Sequence, residues 1–468
     1  MDSCCSSGNP WLFLRVRPTK NIETPHESPC IEPMNDQEAF GYLAGLQSRG
    51  MRLDLTVFQE SLHGMSEPHN DYPSILVGGT NGKGSICAMT TAMLVSAGLR
   101  VGLYTSPHLV DVRERVRLNG EMISMEDMAD CIRTVKRFTS DSLTYFEFLT
   151  ALAFLFFARQ KVDVAVLEVG MGGRLDATNV VHPVVSVVSN ISLEHCAYLG
   201  NRLTDIAGEK AGIIKRGGVC LTGASQKPVL EVLEKSCLDQ GADFYRLGRD
   251  LRIGTSRRPG CFTYRGLATR YDHLPCPLVG RHQIRNAALA VGATEILSRI
   301  GLEVGETAIR EGLGRARWAG RLEVWPGNPT LVLDGAHNPA GIAALCRALK
   351  EHFRYERLFV VFGVLADKDC KAMLSKLARL AHTLILTRPA ADRARSPREV
   401  AFLARGLVSN TLAEENPVRA LETALALATP QDLICVTGSL YLVGEIQAAC
   451  RPGFKDITTT VMMDDDCL

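Results

Sequence analysis

The chain has 468 residues, and its 52 Lys plus Arg stand against 51 Asp plus Glu. That balance withholds the basic surplus that nucleic-acid binding needs and points to small polar ligands. The length allows two or three units of ordinary domain size. An apolar stretch such as LTALAFLFFA at 149–158 is about half of the ~20 residues that cross a bilayer, so no membrane partner is expected.

Residues 1–33 show no targeting pattern and read as a disordered extension, which makes Met34 a plausible alternative start. SILVGG (74–79) is a short apolar run ending in glycines, followed by apolar residues at helical spacing from Ile86 to Leu94. This predicts strand, loop, helix. Further strand-like runs, VDVAVLEVG (162–170), VVSVVSN (184–190) and GVCLTG (218–223), alternate with helical stretches such as FEFLTALAFLFFARQ and LTDIAGEKAGIIK. Such alternation predicts a mostly parallel sheet with helices on both faces. Residues 241–279 break into short polar and aromatic pieces expected to form hairpins at its edge. The rhythm restarts near Arg317 with TLVLDGAHNP, RLFVVFGVLADKD, HTLILTRPA and DLICVTGSLYLVGEI. The expected fold is therefore α/β: a P-loop-type central domain, 34–317, and a smaller Rossmann-like C-terminal domain, 318–452. Residues 453–468 carry an acidic cluster and read as a disordered tail. The 15 cysteines, odd in number and without a C-x-x-C pair, suit reduced thiols in the cytoplasm.

GGTNGKGS (78–85) resembles a phosphate-cradling loop but departs from G-x-x-x-x-G-K-[ST], with Val77 in place of the first Gly and Gly84 in place of the hydroxyl. A Gly-rich turn between strand and helix aims backbone N–H groups at an anion. Lys83 would neutralise phosphate charge. Ser85 would reach a Mg²⁺ or phosphate oxygen if the extra glycine tightens the turn. The plain alternative is a tight turn with a solvent-facing lysine.

Read with that loop, GLYTSPHLVDVRERVRLNG (102–120), TYFEFLT (144–150), LEVGMGGRLDATN (167–179), SLEHCAYLG (192–200), GEKAGIIK (208–215), GRHQIRNAALA (280–290), GRLEVW (320–325), LDGAHNP (333–339), FGVLADKD (362–369) and VTGSLYLVGE (436–445) resemble the Mur-ligase-like amide-forming enzymes. The similarity is greatest to the folylpolyglutamate synthase and dihydrofolate synthase family. The resemblance spans Met34 to Cys450 and implies an ATP-dependent ligase that phosphorylates a pteroate or folate carboxylate and couples the acyl phosphate to L-glutamate. It implies two Mg²⁺ ions, a monomer, and small-molecule partners only.

The resemblance also implies residue roles. Thr80, Asn81, Gly82, Lys83, Gly84, Ser85, Asn286, Arg321, Asp334 and His337 would bind ATP, with Asn286 at adenine and Asp334 and His337 at ribose and γ-phosphate. Ser106, Glu168, His195 and a carbamylated Lys210 would hold the metals. Lys83, Lys210 and His337 would be the catalytic side chains. Thr144, Tyr145, Phe146, Glu147, Leu175, Asp176 and Ala177 would hold the pterin, and Ser439 would face the incoming glutamate. A strand-end Glu also serves as a cap or ion-pair partner, a loop His as a hydrogen-bonding residue, and a Gly-Ser pair as a helix cap. The pattern departs from the family at Asp54 and Val57, where Gly and Arg are usual, and WAGR (318–321) stands for WPGR. Three rivals remain open: a synthase acting on folates alone, a cell-wall Mur ligase, and a nucleotide-binding regulator without catalysis.

Overall fold

The computed structural model describes residues 34–50, 52–139, 142–408 and 410–450. The disordered extension and tail expected at the two ends lie outside them.

The apolar runs form strands because each is buried from end to end. β1 (Ser74–Gly78), β2 (Val101–Tyr104), β5 (Val164–Glu168), β6 (Val185–Val188) and β7 (Val219–Thr222) are fully buried. With β3 (Val116–Leu118), β4 (Glu121–Met122) and β8 (Asp243–Arg246) they make an eight-stranded sheet in the order β4-β3-β2-β5-β1-β6-β7-β8. The six strands from β2 to β8 in that order run parallel, and β3 and β4 fold back as an antiparallel edge. Runs apolar on both faces suit this arrangement, since helices cover both sides.

The helix Tyr145–Arg159 is apolar nearly all round and lies in the core on one face. The stretch that resembled half of a membrane span is thus a buried helix, and among the described residues no helix is long and apolar enough to cross a membrane. The other face carries the helices Lys83–Ser96, Arg281–Leu297 and Glu306–Arg315 and a small antiparallel sheet, β9 (Arg252–Thr255), β10 (Cys261–Arg265) and β11 (Arg270–Pro275). The hairpin expectation for 241–279 holds for β9 to β11 and is corrected for Asp243–Arg246, which pairs in parallel with β7. An edge strand is half open to solvent, so its polar alternation mimics a hairpin strand.

A second sheet orders β12 (Glu323–Trp325), β13 (Thr330–Asp334), β17 (Leu433–Thr437), β14 (Leu358–Phe362), β15 (Thr383–Leu386) and β16 (Asn410–Ala413), with only β12 antiparallel. Helices cover both of its faces. The two sheets exchange side chains: Leu109, from the loop after β2, packs against the core of the second sheet, and Trp318 packs against the core of the first. The carboxyl ends of β1, β5 and β6 meet those of β13 and β17 across this seam. That is where open α/β sheets place their sites, and β1 lies between strands reached in opposite directions.

Candidate active site

The loop after β1 is shaped by Gly79 and Gly82, at φ 123° and 89°, backbone values that side chains rarely adopt. Residues after β6 hold it. Asn81 O accepts from Ser189 Oγ at 2.8 Å and Asn190 Nδ2 at 2.7 Å, and Thr80 N donates to Asn190 O at 2.8 Å. Lys83 Nζ donates to Gly79 O (3.2 Å) and Thr80 O (3.1 Å). Ser85 Oγ is buried without a hydrogen-bond partner, and no side chain caps the helix that starts at Lys83. A buried orphan hydroxyl beside an ammonium and open amides fits an anion with its cation.

One expectation about this loop is corrected. Gly84 does not tighten the turn; it lies inside the first helical turn. A Cβ there would come within 2.7 Å of Trp318 Nε1, so the missing side chain makes room for an indole from the junction with the second sheet.

Glu168, at the end of β5, is 5% exposed, and its Oε2 accepts from Ser106 N at 3.2 Å. Burial raises its pKa, opposed by the charge of Lys83. Lys210 is not an exposed helix lysine: it is 2% exposed and donates to Gly79 O (2.8 Å) and Glu194 Oε1 (3.4 Å). Burial brings its pKa down to about 8. Glu194, itself buried, is held below the usual carboxylate range because Lys83 and Lys210 outweigh its burial. His195 takes a left-handed φ of 49° ahead of the short helix Cys196–Leu199, and burial, then the nearby Lys368, pull its pKa down. Among the described residues no three His, Cys, Asp or Glu side chains converge as a metal cage. Glu168, Ser85 and Ser106 are oxygen donors suited to Mg²⁺, a cation that commonly keeps waters and takes ligand phosphates.

Of the residues expected at the pterin, Thr144 and Glu147 form a reciprocal capping box at the helix Tyr145–Arg159, with Thr144 N donating to Glu147 Oε2 at 2.7 Å. Asp176 is likewise used locally: it accepts from Met171 N (2.9 Å), Thr178 N (3.0 Å) and Thr178 Oγ1 (2.6 Å). Ala177 is buried and Leu175 is 39% exposed. Tyr145 and Phe146 are the aromatic wall, Tyr145 under the Arg115 guanidinium at 5.5 Å and Phe146 beside Tyr104 at 6.0 Å. Asp54 accepts from Thr56 N (3.0 Å) and Oγ1 (2.8 Å) and faces solvent.

From the second sheet, Asp334 accepts from Leu322 N (2.9 Å) and Ala336 N (3.0 Å), and burial raises its pKa. His337 Nδ1 lies 2.9 Å from Gly335 O, and burial brings its pKa to about 4, so the ring is neutral near pH 7. Asn338 caps the helix Pro339–His352 through Gly341 N and donates to Asn81 Oδ1 at 2.9 Å, which joins the two loops directly. Asn286 packs on Gly82 and donates to Gln283 at 2.9 Å. Ser439 is 2% exposed and accepts from Tyr441 N as a helix cap. A cleft opens between the units, lined by Gly84, Ser106, Glu168, Trp318, Arg321 and Leu440 among others.

Family models match both units. Mur ligase middle domain covers residues 77–294, and Mur ligase, glutamate ligase domain covers 320–440. The chain is 33% identical to dihydrofolate synthase/folylpolyglutamate synthase of Bacillus subtilis, over 88% of this chain and 98% of that protein. It belongs to the folylpolyglutamate synthase/dihydrofolate synthase family. Its structure is similar to that of Mycobacterium tuberculosis folylpolyglutamate synthase complexed with ADP and AMPPCP, with TM-score 0.82, 32% identity, and coverage of 88% of this chain and 98% of that one. It is also 36% identical to a probable bifunctional folylpolyglutamate synthase/dihydropteroate synthase of Halobacterium salinarum, over 92% of this chain. The chain spans about half of that longer relative, 54%.

Three residues escaped the sequence reading. Glu194 sits one position before His195, in a quoted motif, and an acid in a loop after a parallel strand was the available signal. Asn338 and Trp318 gave none, because their importance comes from residues 257 and 234 positions away, Asn81 and Gly84.

Proposed function

We propose that this protein is an ATP- and Mg²⁺-dependent ligase that joins L-glutamate to dihydropteroate, to folates, or to both, through an acyl phosphate. The observation that carries this is the loop at 79–85, with Ser85 Oγ buried and unpartnered, Lys83 beside it, and Asn338 of the second unit bonded to its Asn81. Phosphoryl transfer to a carboxylate requires positive charge and fixed donors where negative charge gathers. Lys83 and Arg321 supply that charge from opposite sides of the cleft. Mg²⁺, held by Glu168 with Ser85 and Ser106, would neutralise the phosphates. Neutral His337 and the backbone held by Asp334 line the nucleotide from the second unit, and Asn286 shapes the loop at Gly82. The units, 34–317 and 318–452 in this reading, close over the reactants and exclude water.

Lys210 is the residue for carbamylation. Burial leaves its amine partly neutral, and a neutral amine adds CO₂ with loss of a proton to give an anionic carbamate. The new anion beside Glu194 requires a cation, in keeping with a second Mg²⁺ near His195. Uptake of ¹³CO₂ by the native protein, lost in Lys210→Arg, checks this by carbon NMR. Eleven free cysteines among the described residues support a reducing, cytoplasmic setting.

A synthase restricted to folates is the second reading. It is favoured at residues 53–58, where Asp54 is spent on Thr56 and Val57 stands where the resemblance leads one to expect arginine. The test is product mass with dihydropteroate and tetrahydrofolate offered in parallel, each with ATP and glutamate. One new amide from each establishes both activities, an amide from tetrahydrofolate alone establishes the second reading, and none from either removes the ligase assignment.

A further inference from the structure

Arg115 closes the short helical segment Val112–Arg115 and is 8% exposed. Its carbonyl accepts from Thr105 N at 3.0 Å, which ties it next to Ser106 at the mouth of the cleft. Its Nε donates to His108 Nδ1 at 2.8 Å, and its guanidinium carbon lies 5.5 Å from the centre of the Tyr145 ring. Among the described residues it makes no ion pair with a carboxylate, whereas buried Lys210 has Glu194. A buried guanidinium without a counter-ion is costly, and such a group is kept where a ligand brings the anion.

We propose that Arg115 holds the reactive carboxylate of the planar acid that enters beside Tyr145. This deepens, and rests on, the ligase reading. Lys83, Arg117 and Arg321 also lack a carboxylate partner among the described residues, but each donates to backbone carbonyls, Lys83 to those of the phosphate loop. Lys83 and Arg115 divide the anions between them: phosphate at Lys83, carboxylate at Arg115. The planar fork suits a carboxylate, and the bond from Nε to His108 fixes the plane in which the remaining N–H groups point. The ring of Tyr145 under the guanidinium gives a flat acid a surface continuous with the wall that Phe146 extends.

Calorimetry on the full chain tests this with the acid that the wild type takes, dihydropteroate or tetrahydrofolate. The same molecule with its reactive carboxylate changed to a carboxamide, and ADP, complete the set. The wild type is expected to prefer the acid over the amide by about tenfold or more. Arg115→Gln erases that preference while amide and ADP affinities stay within about twofold, a pattern that general loosening of the site does not produce. Arg115→Lys, which keeps the charge and serves also if the Gln variant does not fold, shows an intermediate preference. A full preference surviving in either variant overturns the assignment, as does equal weakening of acid and amide. Wild-type protein that binds neither acid nor amide sinks the ligase reading itself, a separate result.

Discussion

Two strand-to-helix loops face each other across the seam, and they are built on opposite plans. The loop at 79–85 is held from outside by Ser189 and Asn190 and leaves its own groups free: Ser85 Oγ has no partner and the helix it opens has no side-chain cap. The loop at 334–338 satisfies itself. Asp334 takes two backbone amides, His337 meets Gly335 O, and Asn338 caps the next helix. Both begin at the end of a buried parallel strand, so topology alone does not separate them. What separates them is where the hydrogen bonds go: the first loop leaves polar groups unpartnered, and the second spends its own on itself and on the first.

The largest test of this contrast is Lys83→Ala, which removes the charge from the open loop. Glutamate-dependent ADP release is expected to fall by about 100- to 1000-fold with the melting temperature kept. Near-normal turnover breaks the contrast at its first term.

Gly444→Ala attacks the docking of the second unit. A Cβ there would overlap the backbone carbonyl of Leu109, which cannot swing aside. Activity is expected to drop about 100-fold through misplaced groups. Folding stability is expected to fall by about 1 to 3 kcal/mol, because the overlap outweighs the preference of a helix for alanine. Turnover and urea unfolding measure both, and unchanged turnover contradicts it.

In CO₂-free buffer, where Lys210 keeps its ammonium, Glu194→Gln leaves it buried without its counter-ion. Loss of one partner of a buried pair predicts about 3 kcal/mol of destabilisation, read by urea unfolding at pH 7. The pair is sealed, at 2% and 7% side-chain exposure, so the effect should change little with salt.

The smallest effect concerns His337 in the self-satisfied loop. Its folded pKa of about 4 lies below the ordinary 6.5, so the folded state resists protonation while the unfolded chain accepts it. Stability from this residue is present above pH 6.5 and is lost as pH falls toward 4. With the ring partly open to solvent, about 1 kcal/mol is expected as the difference between wild type and His337→Gln across that window. Identical pH profiles of unfolding would show that burial does not hold the ring neutral.

Much of the fold was readable because continuous apolar strands ending in glycine leave little choice but a covered parallel sheet. Asp243–Arg246 was not, since an edge strand carries the same half-polar pattern as a hairpin. Lys83, Glu168 and Lys210, which show their chemistry in their own type, were singled out from sequence, and the structure gathers them at the loop after β1. Residues whose part depends on a distant neighbour were not: Gly84 is glycine because of Trp318, and Asn338 matters because of Asn81. Thr144, Glu147, Asp176 and Ser439 show the converse, with their polar atoms already engaged in caps and turns.

The open loop has one purpose in this account, transfer of a phosphoryl group to a carboxylate. The most direct measurement uses dihydropteroate or tetrahydrofolate labelled with ¹⁸O in the reactive carboxylate, with ATP and glutamate, and mass analysis of the phosphate released. The account predicts one ¹⁸O in inorganic phosphate for each amide formed, carried there when glutamate nitrogen displaces the acyl phosphate. Amide formation with unlabelled phosphate would contradict it.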